Sequence, residues 1–169
     1  MGVGLAAPAS LYAGGYTTTD VASVESWNGS AWTETGDLNT ARKSGAAAGT
    51  QTEGLVFGGE PKTGKTEKWD GSSWTEVNDM NTTRYFVTGS GVQTQALVFG
   101  GFSGSGDLAN TEVWNGTSWT ELNDLSTAAR AASGKNSATS ALAAGGGPPA
   151  TSASEEWTAP TTLSTVTVS

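Results

Sequence analysis

The sequence predicts an all-β fold assembled from four copies of one antiparallel, four-stranded unit, and three observations predict it. The stretch "VESWNGSAWTET" at 24–35 returns as "TEKWDGSSWTEV" at 66–77 and as "TEVWNGTSWTEL" at 111–122. The first tryptophans of the units, Trp27, Trp69, Trp114 and Trp157, follow one another at 42, 45 and 43 residues. The glycine pairs Gly14-Gly15, Gly58-Gly59, Gly100-Gly101 and Gly145-Gly146 keep step at 44, 42 and 45. No apolar period of a helix accompanies them. Four-stranded units at this repeat length are the signature of a β-propeller, in which each blade is too small to hide its own face. The units run approximately 1–35, 36–78, 79–122 and 123–169, within a single repeat domain.

Each unit opens on a small-residue segment such as "GVGLAAPA" or "GAAAG", continues into an apolar run, and then passes through a loop to the tryptophan hairpin. The runs "GLVFGG" and "ALVFGG" are short, rich in β-branched and aromatic residues, and closed by glycines that tolerate positive φ, as buried strands are. In the second unit the strands fall near 43–50, 53–58, 66–69 and 73–77. Asn28-Gly29, Asp70-Gly71 and Asn115-Gly116 are hairpin-turn dipeptides. A two-residue turn at Asn28-Gly29 sets Trp27 opposite Ser30 and Glu25 opposite Trp32, so the two tryptophans lie diagonally on one face. In the fourth unit the second tryptophan is missing, and "LSTVTVS" reads as its outermost strand. The thin inner strands suit a single four-bladed ring but equally a larger ring completed by other chains, and the repeat count favours the single ring over an open arc.

The Gly-Gly pair closing an apolar strand, followed by the tryptophan hairpin, resembles the kelch repeat over nearly the whole chain. Trp27, Trp69 and Trp114 stand where kelch repeats favour tyrosine, and the second tryptophan follows after five residues rather than six. The compact "WNGxSW" form is similar to the kelch-like tandem repeats of bacteriophage virion proteins, marine ones especially. That resemblance implies a non-enzymatic structural or adhesive propeller on the virion surface or a tail fibre. Its partners would be other virion or surface proteins or a cell-surface glycan, with self-association as a further option. A glycan-binding, lectin-like propeller and a kelch protein-interaction domain are the alternatives.

Composition narrows the chemistry. The 169 residues include no cysteine and no histidine, which removes imidazole and thiolate catalysis and the metal sites that need those ligands. Neither cofactor nor metal is expected. Sixteen acidic residues against eight basic ones give a net charge of −8, which repels a nucleic-acid backbone. No run approaches the roughly 18–20 apolar residues of a membrane span, and the first residues lack the basic start of a secretory leader.

Recurrence separates scaffold from site. Trp27, Trp32, Trp69, Trp74, Trp114, Trp119 and Trp157 could stack on sugars, but a fixed register in every unit points to packing between blades. Glu25, Glu67, Glu112 and Glu155 precede the first tryptophan by two residues and Glu34, Glu76 and Glu121 follow the second. A pair of them could imitate a glycosidase, yet their repetition reads as solvated rim charge or hairpin pairing. Arg42, Arg84 and Arg130 recur in "LNTAR", "MNTTR" and "LSTAAR" between units. They are candidate anion ligands, or else each holds the carbonyls of the preceding loop or pairs with Asp37, Asp79 or Asp124. The loops at 16–23, 60–65, 102–110 and 147–153 escape the repeat, and unlike loops on a constant scaffold are how binding surfaces are made. Tyr16 and Phe102 are the aromatic anchors expected there.

Overall fold

The computed structural model describes residues 1–6, 9–147, 152 and 154–158. Among them the chain forms fifteen strands in four antiparallel sheets and no helix. The first sheet holds β1 (Gly2–Ala6), β2 (Ala9–Tyr16), β3 (Asp20–Trp27) and β4 (Trp32–Thr35). The second holds β5 (Ala46–Gly49), β6 (Gly54–Phe57), β7 (Thr66–Trp69) and β8 (Trp74–Val77). The third holds β9 (Thr88–Val92), β10 (Gln95–Phe99), β11 (Thr111–Trp114) and β12 (Trp119–Glu121), and the fourth β13 (Ser133–Ser137), β14 (Ser140–Ala144) and β15 (Ser154–Thr158). Strands pair in chain order within every sheet. The first strands of successive sheets lie next to one another, β1 by β5, β5 by β9 and β9 by β13. The segment "LSTVTVS" lies outside the described residues.

The hairpins differ from the two-residue turn expected. Residues 28–31, 70–73 and 115–118 make four-residue loops, because Oδ1 of Asn28, Asp70 and Asn115 accepts the backbone N–H groups two and three residues on. Gly29, Gly71 and Gly116 sit at φ of 98°, 96° and 94°, a region costly for any residue with a Cβ. Trp27 therefore pairs directly with Trp32, Trp69 with Trp74 and Trp114 with Trp119, rather than diagonally. The N–H groups of Ser73 and Ser72 hold the Asp70 carboxyl down at about 2.

Each sheet covers the next through unlike faces. Leu11, Ala13 and Val24 of the first sheet share a buried cluster with Val56, Trp69 and Trp74 of the second. Leu55 and Phe57 do the same with Val98, Trp114 and Trp119 of the third. Size matching sets the inner strands. A Cβ on Gly89 would stand 2.6 Å from the Phe57 ring, and Gly134 is blocked by Phe99 in the same way. The first sheet has Ala13 in place of the phenylalanine, and in the second sheet the residue matching Gly89 is Ala47, which packs against the same cluster as Ala13. Small inner residues thus make room for the bulky residue of the preceding sheet.

The connections between sheets carry one residue each at positive φ, Ser44, Phe86 and Ala131, at 56°, 52° and 52°. Each is tied to the one before: Phe86 N–H donates to the Ser44 carbonyl at 2.7 Å, and Ala131 N–H to the Phe86 carbonyl at 2.8 Å. Among the described residues the first and fourth sheets are the two ends of the stack. Tyr12 and Trp32 on the first sheet and Leu142 on the fourth are exposed, whereas a ring closed within one chain would cover these faces against each other.

One vacancy in the hydrogen bonding is specific. Trp119 Nε1 donates to Thr66 Oγ1 at 2.9 Å, while Trp74 Nε1 is buried without a partner. Val24 holds in the first sheet the place Thr66 holds in the second, since they pair with Ala13 and Phe57, each the residue before a Gly-Gly. Val24→Thr is expected to raise stability by about 1 kcal/mol, where an unpartnered buried hydroxyl would cost about 1–3 kcal/mol. Urea unfolding checks the sign.

Candidate binding face

The loops that escape the repeat meet the connections on one side of the stack, through the backbone bridges Lys43–Glu60 and Tyr85–Phe102. Beneath them lies an interaction that the sequence pattern did not reveal. Glu67 is fully buried and accepts the backbone N–H of Asn39 at 2.7 Å and of Thr40 at 3.2 Å, the Asn39 amide at 2.9 Å, and Arg42 Nη2 at 2.5 Å. Glu112 repeats this with Asn81, Thr82 and Arg84, the ion pair measuring 2.9 Å. Glu67 and Glu112 are therefore not the solvated rim charges expected; Glu25, Glu34, Glu76 and Glu121 are exposed. A buried carboxylate needs several donors to offset lost hydration, and the connection of one sheet supplies them to the next.

Arg42 and Arg84 are also fully buried, so neither presents a guanidinium to an outside anion. Their partners are glutamates of the following sheet rather than Asp37 or Asp79. Burial pulls both guanidinium pKa values down, and the facing carboxylate pushes them partly back. The other nitrogen has a second task. Arg42 Nη1 donates to the carbonyls of Gly58 and Lys65, and Arg84 Nη1 to those of Gly100 and Asn110. These are the residues at the start and end of the variable loops, whose necks also close by Gly58 N–H to Lys65 O and Gly100 N–H to Asn110 O. One guanidinium thus fixes both ends of a loop, whatever the length between.

Arg130 is not the third member of that series. Gly15, Gly59 and Gly101 donate their N–H groups to the carbonyls of Arg42, Arg84 and Ala129 in turn, so Ala129 takes the latch position and Arg130 matches Lys43 and Tyr85. Among the described residues, Glu155 accordingly receives the N–H groups of Ser126 and Thr127 and no guanidinium. A small cavity lined by Leu125, Thr127, Ala129, Gly145 and Glu155 lies there.

The position after the latch faces the loops. Lys43 pairs with Asp20 at 3.1 Å and Glu60 at 3.3 Å and lies 4.4 Å from the Tyr16 ring centre; hydrogen bonding to Asp20 is the main reason its pKa is raised. Arg130 lies 4.1 Å from the Phe102 ring centre and pairs with Asp107 at 3.1 Å, while Tyr85 meets Phe102 edge to face at 5.5 Å. Tyr16 is well exposed and Phe102 half-buried under its neighbours. The first loop is shorter than expected, because β2 and β3 extend to Tyr16 and Asp20 and leave a three-residue turn. Most of the fourth loop lies outside the described residues. The tryptophan pairs of the second and third sheets are buried between sheets and offer no platform to a sugar.

Gln51 and Gln93 were also hidden from sequence reasoning. Gln51 Nε2 donates to the Trp27 carbonyl of the preceding sheet while the Gln51 carbonyl accepts Trp69 Nε1 at 3.0 Å, and Trp114 Nε1 donates to the Gln93 carbonyl at 2.9 Å. Their shared place in "TQTEG" and "VQTQA" was the available signal.

Removing the charge of a latch glutamate strands its arginine. Glu112→Gln is expected to cost about 3 kcal/mol in urea unfolding. Conversely, Ala129→Arg is expected to stabilise by about 1 kcal/mol by completing the latch on Glu155, and Ala129→Leu, which fills space without charge, should not match it. Compared with protein-family models and with curated protein sequences, the chain matches none.

Proposed function

We propose that this chain is a non-enzymatic, kelch-like propeller scaffold with a structural or adhesive role on a bacteriophage virion or tail fibre, binding its partner through the variable loops. The virion assignment rests on the resemblance of the "WNGxSW" repeats. The binding mode is supported by one observation above others: the buried arginines Arg42 and Arg84 hold the necks of two loops that differ in length, charge and aromatic content. A rigid neck with a free tip lets loop sequence change without disturbing the core. The repeated glutamates are occupied by structural donors or stand exposed, which favours a scaffold over a glycosidase.

Tyr16 is the anchor whose removal separates binding from folding. Tyr16→Ser is expected to leave the melting temperature nearly unchanged, because the ring is 61% exposed, with Lys43 lying over it. Phe102→Ser should lower it by several degrees, since Tyr85 and Arg130 pack on that ring. An antibody against the chain should label the outside of intact virions, and Tyr16→Ser protein should bind whole host cells at least fivefold more weakly than wild type. Absence of label overturns the virion role. Cell binding that tracks a soluble glycan competitor identifies the lectin-like alternative.

A further inference from the structure

Every sheet presents two unlike faces, and inside the molecule they always meet in the same sense. One face carries Tyr12, Glu25, Trp27 and Trp32 in the first sheet, and Val56, Glu67, Trp69 and Trp74 in the second. The opposite face carries a leucine three residues before each Gly-Gly pair: Leu11, Leu55, Leu97 and Leu142. Leu11 is buried in one cluster with Trp69 and Trp74, Leu55 with Trp114 and Trp119, and Leu97 with Trp157 packed against its cluster.

Only the ends break the rule. Leu142 is 49% exposed where its three counterparts are at 1% or less, and Trp32 is 48% exposed where Trp74 and Trp119 are at 6%. Tyr12 is 50% exposed. The exposed face is nevertheless already arranged as its occupied counterparts are: Trp27 and Trp32 stand 5.4 Å apart at 44°, against 5.2 Å at 37° for Trp69–Trp74 and 5.5 Å at 46° for Trp114–Trp119. Glu25, the counterpart of the latched Glu67, is exposed beside them.

We propose that the Tyr12–Trp27–Trp32 face of the first sheet docks the Leu142 face of the fourth sheet of a second copy of this chain, head to tail. The interface continues, between chains, the face-to-face packing that recurs within one. A second copy is the occupant because both faces are exposed in the same chain, and each copy offers one of each. Such a contact is heterologous, so copies add until the rotation between them closes a ring. This docking does not depend on what the loop face binds. Net charge of −8 on each copy opposes it at low salt.

The chain has no cysteine, which makes a cross-linking test clean. Tyr12→Cys and Leu142→Cys chains, prepared separately and mixed at physiological salt, should be joined as a mixed dimer by a bis-maleimide of about 10 Å reach, the spacing of packed sheets. In sedimentation velocity the wild type should form a defined oligomer at micromolar concentration, strengthened by added salt. Trp32→Lys should shift it towards monomer with at least a tenfold weaker association and an unchanged melting temperature of the monomer. A wild type that stays monomeric to about 100 μM overturns the proposal, as does an association indifferent to Trp32→Lys. Cross-linking within one chain of the double variant also overturns it, and assigns the face to ring closure by the chain's own fourth sheet.

Discussion

A carboxylate buried under the connection between two sheets is the interaction on which the rest depends. Glu67 and Glu112 lie where water cannot reach them, so their charge is tolerable only while several donors converge on it. The donors come from the segments 39–42 and 81–84, which belong to the preceding connection. The connection therefore has one path, and the distance between sheets follows from it. The same guanidinium secures the variable loop above, so sheet stacking and loop anchoring share one device. In the fourth unit alanine stands in the arginine's place, and among the described residues Glu155 keeps the backbone donors alone.

Over this latch, apolar packing supplies cohesion. A sheet of four short strands has two faces and no interior, so each must borrow a neighbour to bury its tryptophans. The match is steric as well as apolar: phenylalanine in one sheet goes with glycine in the inner strand of the next, and alanine goes with alanine. Contacts of this kind stabilise the middle of a stack more than its ends. The exposed aromatic face of the first sheet is the direct consequence, not an isolated surface feature.

The division between constant and variable parts follows the same geometry. Backbone bridges and arginine clamps hold the loop necks, and further backbone hydrogen bonds tie Thr63, Gly64, Leu108 and Ala109 to the connections, so the variation is concentrated at the loop tips. The position after the latch is lysine, tyrosine and arginine in successive connections, and two of these three lay a cation over an aromatic ring of the preceding loop. Side chains that vary from unit to unit while their backbone stays fixed are the material from which a recognition surface is made.

Much of the fold was legible in the sequence because its signals are local. The strands of the second unit, the glycine pairs, the repeat and the burial of Trp69, Trp74, Trp114 and Trp119 follow from apolar runs and turn residues within a few positions of one another, whereas the extension of β2 and β3 into the expected 16–23 loop does not. The face-to-face register of the tryptophans was not, because the loop length depends on which backbone groups Asn28, Asp70 and Asn115 accept. Nor were the latches: Arg42 and Glu67 stand 25 residues apart and Arg84 and Glu112 28, on different sheets, and a repeated glutamate looks the same in sequence whether solvated or buried. Spelling even misled at "LSTAAR", where Arg130 falls one place beyond the latch and only the hydrogen bond from Gly101 to Ala129 reveals it. Local chemistry determined the strands and turns; which polar groups lose water, and to whom they then turn, was decided by the packing of one sheet on another.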